Sequence, residues 1–444
     1  MSKYLSIECE WTEQPLADDL LERQTWGRIQ IAAGGRSVSR VWDRESQAER
    51  VSLYLPAFPL AAWIVQNWWA LLYEPARTAE VVSPDSLLLE PQRAWLRRHC
   101  LRSAEAGLML PRMCVFADGL GVAVAWFADD FDAYPHMPGQ FVESGLVRVP
   151  TSEAAEGLHA FVSSVVARVS SVSDERAARM AEAWKAITAA SSDEVAFCRS
   201  AGRLGLDPYR SSQWDPDLVQ LLETALGVER PIVADFLEAS ETADAAETWK
   251  WISDAERDQE LQRSPQPNHA RMSNMNPAAA GYELASRLRT TSDMHDKPLE
   301  NLEIATNALG LPDFAVENRN HLSSATVRAA VGWSRGKRPT LIGPAPMRET
   351  SKRFLQARGL YHAAYACDSG PRLITNAHTW DQQASRAFAA ELLAPRVALM
   401  DHARSAAGSR DWDDLVKTLA DEYLVSEQVI EHQLENAGFS PGVG

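Results

Sequence analysis

Residues 353–395 read RFLQARGLYHAAYACDSGPRLITNAHTWDQQASRAFAAELLAP. The periodicity is that of two helices around a short polar connection. In the first, Phe354, Ala357, Leu360 or Tyr361, and Ala364 recur at helical spacing, and Arg358 and His362 stand one turn apart on a shared face. In the second, Ala384, Phe388, Glu391 and Leu392 keep the same step until Pro395, whose ring cannot continue a helix. Between them CDSGPRLITNAH reads as a loop.

Upstream of this pair the charge changes sign. Residues 328–358 hold eight bases (Arg328, Arg335, Lys337, Arg338, Arg348, Lys352, Arg353 and Arg358) against one acid, Glu349, in a chain of formal net charge −16. So acidic a chain is not expected to coat nucleic acid or an anionic membrane as a whole. A local basic patch is a different matter: it would take an anionic ligand, a nucleic-acid end or an acidic partner, with Arg335, Lys337 and Arg338 as candidate contacts. The competing expectation is that these cations pair with the protein's own acidic segments. Residues 231–260, with nine acids and two bases, are expected to present a solvated helical face.

At 444 residues the chain has room for two or three domains. Residues 1–150 read as a Trp-rich α+β domain. Strand-like runs fall at Tyr4–Trp11, Gly27–Ala33 and Ser37–Trp42, the segment LAAWIVQNWWALLYEP reads as a helix, and RMCVFADGLGVAVAWFA reads as a hairpin turning at Asp118-Gly119. Eight tryptophans lie in this third, and the Trp63–Leu72 segment, apolar on every face, places them in a core rather than in a partner groove. Residues 151–262 read as helical, with a capping serine ahead of DERAARMAEAWKAI and a glycine C-cap at Gly205 that Gly310 repeats further on. Residues 263–276, rich in Pro, Asn and Ser, read as a linker, and 277–444 as the last domain.

Cys9, Cys100, Cys114, Cys198 and Cys367 form no CxxC or other metal spacing, which points to a reducing cytoplasm. The N-terminal MSKYLSIECEW lacks the basic-then-apolar order of a signal peptide. The apolar run Leu55–Tyr73 is interrupted by Pro56, Pro59, Gln66 and Asn67 and is shorter than the roughly 20 residues a spanning helix needs. No membrane association is expected.

The paired helices resemble the core of the ImmA/IrrE family of zinc metallopeptidase-like domains, whose first helix carries RFxxAHExxH and whose second carries an acidic residue shortly before FAxELLxP. Arg353, Phe354, Ala357, Leu360 and His362 fall on the first pattern, and Phe388, Ala389, Glu391, Leu392, Leu393 and Pro395 on the second. AAAGYELASRLR and PLENLEIATNALGL resemble the helices that open the family domain, and DDLVKTLADEYLVSEQVIEHQLENAG is similar to its helix-turn-helix-like tail. The resemblance spans about 277–440. It implies a mainly helical, zincin-like C-terminal domain with a small sheet, in which Pro339–Ile342 is the best strand. It also implies a setting in bacterial stress response, mobile-element regulation or phage-related control, often by cleavage of a repressor.

The departures bear on chemistry. Two histidines at i and i+4 present neutral imidazoles to one zinc, and the glutamate beside the first takes a proton from the metal-bound water. Here Arg358 matches the first histidine and Gly359 the glutamate. A guanidinium stays protonated and is no ordinary zinc ligand, and glycine has no side chain to act as a base.

The expectation is therefore a pseudopeptidase with no catalytic residue and no metal, acting as sensor, scaffold or regulatory partner of another protein. Arg358, His362 and Asp381 hold its relict site, with Arg358 paired to Asp381. Two alternatives stand beside it. A divergent zinc endopeptidase cleaving a repressor-like protein would bind zinc through His362, with His378 and Asp381 as further candidate ligands. A nucleic-acid-associated regulator would use the basic stretch 328–358. The tail's second helix opposes groove reading, since Glu427, Glu431 and Glu435 would turn carboxylates toward phosphates.

Overall fold

The computed structural model describes the chain except residues 1–3, 14–16, 77–89, 130–137, 227–229, 241–243, 266–268, 271, 273, 295–296, 320–321, 323, 325, 345–346, 407–411 and 440–444; residues 90–92, 224–226 and 406 enter only through their backbone. It is an α+β protein with small antiparallel and mixed sheets. The chain divides into two compact units, 1–226 and 227–444. The borders expected near 150 and 262 fall inside these units, so the helical middle contributes to both. Among the described residues no helix is long and apolar enough to cross a membrane.

In the first unit the helix Phe58–Tyr73 is the centre of the core. Twelve of its residues are buried, Trp63, Trp68 and Trp69 among them, as expected of a helix apolar on every face. Trp68 meets Trp184 edge-on at 5.1 Å, a favoured aromatic geometry. Leu5–Trp11 pairs antiparallel with Trp26–Ala33, which also pairs with Leu53–Pro56. The hairpin Arg112–Ala117 with Val122–Phe127 turns through 118–121 as expected, and Gly145–Val149 extends it. The run Ser37–Trp42 does not form one strand. Arg36–Ser37 stays with the first sheet while Val41–Asp43 joins Ala48–Arg50 and Gly139–Phe141. Buried Ser39 marks the break: its hydroxyl accepts from the Ile31 amide at 3.0 Å and donates to the Val51 carbonyl at 2.6 Å, in place of ladder bonds.

Both glycine caps are present. Gly205 (φ 73°) and Gly310 (φ 64°) are left-handed, and the amides after them, Leu206 and Leu311, reach back to Ala201 and Thr306. The expected serine cap is replaced by Asp174, whose carboxylate accepts from the Arg176 amide.

The C-terminal end of Phe58–Tyr73 carries a buried polar knot. The Glu74 carboxylate receives Arg98 Nε at 2.8 Å and His99 Nε2 at 2.9 Å, while His99 Nδ1 lies 2.6 Å from the Val115 carbonyl. Both partners of this imidazole are acceptors, so both contacts are hydrogen bonds only when the ring carries both N–H groups. Burial alone would raise the Glu74 pKa, but the adjoining His99 ring and Arg98 guanidinium hold it down to about 2.

In the second unit Val327–Ser334 runs through the middle of a five-stranded sheet. Arg338–Pro344, the expected strand, pairs antiparallel on one edge, and Ala315–Arg319 lies parallel beyond it. The other edge holds Arg372–Thr375 and Leu261–Gln262. The described residues on both sides of the expected 263–276 border are therefore tied to this unit: Leu261–Gln262 is a strand, and the amides of Ser264 and His269 donate to the carbonyls of Cys367 and Ala364. The polar connection after Tyr365 likewise conceals the strand Arg372–Thr375, in which Leu373, Ile374 and Thr375 are buried.

Helix Pro277–Thr291 lies so close along Trp380–Leu393 that a Cβ on Gly281 would collide with the Ala384 carbonyl oxygen and sit 2.9 Å from Ala387 Cβ. Overpacking of this kind costs about 1–3 kcal/mol, and Gly281→Ala should lose stability on that scale in denaturant titration, despite alanine's better helix propensity. A gain would show that the two helices separate freely.

A second expectation concerns acid. Because the Glu74 pKa is depressed in the folded state, its contribution is fully present above the ordinary value near 4.5 and is lost as pH falls from there toward about 2. Glu74→Gln should be less stable than the wild type at pH 7 and should lose less on acidification through that window, as followed by thermal melts. Parallel acid curves for the two proteins would contradict the assignment.

Candidate functional site

The helix Glu349–Tyr365 is buried at Leu355 and continuously from Ala357 to Tyr365, which surrounds Arg358 with protein on every side. Gly359 sits where this helix meets the sheet. A Cβ there would lie 2.8 Å from the Phe314 ring and 3.3 Å from Leu341, so a longer side chain at 359 has no room without displacing both. Glycine costs about 1 kcal/mol in a helix interior; the close approach of Phe314 accounts for it.

Arg358 is 3% exposed. Its Nε donates to Ser385 Oγ at 3.2 Å, and its Nη2 donates to the Thr375 carbonyl at 2.9 Å and Gln382 Oε1 at 2.7 Å. These acceptors are all neutral. Burial pushes the Arg358 pKa well below the usual guanidinium range, and the Arg386 and Arg328 cations push the same way. Arg386 also donates to the Thr375 and Ala377 carbonyls, at 3.3 and 2.9 Å.

Gln382 organises this corner. Its Oε1 accepts from the Thr375 amide at 2.8 Å and its Nε2 donates to the Leu373 carbonyl at 2.7 Å, so one amide group grips the strand Arg372–Thr375 and offers the same oxygen to Arg358.

The expected Arg358–Asp381 pair is not formed. Asp381 accepts Arg372 Nη1 at 2.8 Å and the Tyr361 hydroxyl at 3.4 Å. Arg372 Nε and Nη2 in turn grip both oxygens of Asp235, at 2.7 and 2.9 Å, and Asp235 also accepts the Leu373 amide. Burial disfavours the Arg372 cation, yet the two carboxylates hold its pKa above the ordinary value. Asp235, read from the sequence as part of a solvated acidic face, is 3% exposed. Its pattern neighbours misled: Ile232, Val233, Phe236 and Leu237 put it on the inner side of a short helix, Pro231–Ala239.

His362 is buried, its ring edge-on to Tyr361 at 5.5 Å. His378 is exposed. His362, His378 and Asp381 do not form a metal-binding group, and among the described residues no three His, Cys, Asp or Glu side chains gather in one. The residues present do not fit zinc at this position: a guanidinium committed to three neutral acceptors stands beside His362, and Asp381 is engaged by Arg372.

The basic stretch 328–358 is dispersed. Arg335, Lys337 and Arg338 are exposed around the tip of the hairpin Val327–Ser334 to Arg338–Pro344. Arg335, left-handed at φ 48°, faces Glu260 with both its amide, 3.2 Å from the Glu260 carbonyl, and its side chain, 3.5 Å from the carboxylate. Lys352 pairs with Glu349 at 3.9 Å, Arg353 donates to the Glu300 carbonyl, and Arg358 is interior. Among the described residues, pairing with the protein's own acids is seen for Arg335 and Lys352.

Glu391 of the FAAELLAP run is a structural junction. Its carboxylate accepts Ser286 Oγ, Arg396 Nε and Gln433 Nε2 at 3.2, 3.0 and 3.2 Å, which ties the helix Pro277–Thr291 and the tail helix Glu427–Asn436 to one group. That tail helix packs inward through Ile430, Gln433 and Leu434.

No family model matches the chain, and no curated protein matches it.

Arg358 and Arg372 should respond differently to removal. Arg372→Met leaves Asp235 and Asp381 buried without their cation and should cost about 3–5 kcal/mol. Arg358→Met removes a buried cation whose hydrogen bonds all go to neutral acceptors, Asp235 acting on it only through its charge, and its cost, about 1–3 kcal/mol, comes mainly from the acceptors left short of a donor. Urea unfolding at pH 7 compares them, and an equal or larger loss at Arg358 would contradict this ordering.

Proposed function

We propose that the second unit is a non-hydrolytic, zincin-like domain of ImmA/IrrE type, and that the protein acts as a sensor, scaffold or regulatory partner of another protein. The observation that carries the reading is the buried Arg358 guanidinium, fixed by Ser385, Thr375 and Gln382 at the position the resemblance gives to the first zinc histidine. The packing of Gly359 against Phe314 supports it, since the place of the water-polarising glutamate has no space for a carboxylate. The bacterial stress, mobile-element or phage-related setting and the cytoplasmic location belong to the same reading and rest on the resemblance.

A repressor-cleaving zinc peptidase makes an opposite demand, a neutral ligand set with an ionisable base beside it. Metal content by mass spectrometry on untagged protein prepared without chelator, with His362→Ala in parallel, separates the two. The proposal expects no stoichiometric zinc in either protein and no change in melting temperature on adding chelator. One zinc per chain, lost in the variant, would overturn it.

A further inference from the structure

Two of the five cysteines are brought face to face by the first unit. Cys100, just beyond the helix Glu90–His99, forms an isolated antiparallel bridge with Cys114 in the strand Arg112–Ala117. Residues directly opposite in an antiparallel bridge have Cα atoms about 4.5–5.5 Å apart, inside the roughly 4.4–6.8 Å that a disulfide spans. Both thiols belong to one buried cluster. Fourteen positions of sequence separate them, which is why no spacing motif reveals them.

The surroundings are polarised. Cys100 and Cys114 are buried with Trp95, Phe116, Ala123 and Ala125. The charged groups acting on Cys100 are the Arg102 and Arg112 cations, Arg102 being tied to Asp129 at 2.7 Å and Arg112 lying over the Phe127 ring. The adjacent Cys114 thiol, helped by these two cations, lowers the Cys100 pKa to about 7 against the opposing effect of burial, while Cys114 itself is pushed up. His99 is adjacent in sequence, but its ring is occupied by Glu74 and Val115. Among the described residues no third ligand joins the two sulfurs into a metal group.

We infer that Cys100 and Cys114 are a peroxide-oxidisable dithiol, with Cys100 the attacking sulfur and Cys114 the resolving one. The Cys100 thiolate attacks one oxygen of hydrogen peroxide; the O–O bond breaks, and the departing hydroxide takes a proton to become water. Cys100 is then a sulfenic acid. The Cys114 sulfur attacks it, the S–O bond breaks as the S–S bond forms, and the Cys114 proton leaves with the hydroxide as a second water. Two thiols lose two electrons and the peroxide gains them. A dithiol reductant reverses the change by exchange through a mixed disulfide. The new bond ties the end of Glu90–His99 to the hairpin, next to the Glu74–Arg98–His99 knot.

The test uses the full-length reduced protein treated with hydrogen peroxide, quenched with N-ethylmaleimide and mapped by peptide mass spectrometry. The expected product is a Cys100–Cys114 cross-linked peptide, cleaved by dithiothreitol, with Cys9, Cys198 and Cys367 still alkylatable after unfolding. Its rate of formation should rise about tenfold per pH unit below pH 7 and level off above it. Cys114→Ala, a conservative change in an apolar cluster, should accumulate a dimedone-reactive sulfenic acid at Cys100, and Cys100→Ala should show none at Cys114. Recovery of both thiols unlinked after a treatment that oxidises Cys9 would overturn the inference. So would Cys100 sulfinic acid as the main product of the wild-type chain.

Discussion

Arg372 is the cation on which the interior of the second unit depends. It takes a bidentate grip on Asp235 from one helix and a single bond to Asp381 from another, and it does so from the strand that lies between them. A charge this deeply buried is tolerable only when paired and hydrogen-bonded, and two carboxylates around one guanidinium satisfy that condition. The arrangement also sets position, because Asp235 accepts the Leu373 amide and thereby fixes where the strand begins. Helix Pro231–Ala239 is consequently part of this fold, although its sequence reads as belonging to a separate helical region.

Arg358 obeys a different logic a short distance away. Its acceptors are a hydroxyl, a carbonyl and an amide, none of them ionised, and its nearest cationic influences are repulsive. Such a group contributes geometry more than net stability: it joins Glu349–Tyr365 to Trp380–Leu393 through Ser385 and Gln382. A site built this way fixes the placement of the two helices relative to each other.

Much of the architecture was legible in the sequence, and the failures have physical causes. The two organising helices, the tryptophan-rich core helix, the Asp118-Gly119 hairpin and both glycine caps follow from periodicity and local backbone preference, which neighbouring residues determine. The strand Arg372–Thr375 was missed because four residues are too few for a period, and its flanking Gly370-Pro371 and Asn376 are turn signals. Asp235 was misplaced because counting acids over 231–260 says nothing of which face each one occupies. The Arg358–Asp381 pairing failed because the position of the acidic residue in the resemblance cannot anticipate a competing arginine nine residues before Asp381. The Glu74–Arg98–His99 knot and the Cys100–Cys114 bridge join residues whose sequence separation carries no pattern at all, and only the fold brings them together.

The double duty of Gln382 has an evolutionary consequence. Its side-chain oxygen serves both the strand backbone and Arg358, so the guanidinium and the strand are accommodated by one group. A change from arginine to histidine at 358 would shorten the side chain and withdraw donors from Ser385, Thr375 and Gln382 together, while Asp381 would still be held by Arg372. The intermediate would have lost its present bonding without acquiring a third ligand. Such a corner resists change: Arg358, Gln382 and Arg372 are bound into shared partners, so a metal-binding constellation here would require several of them to change at once.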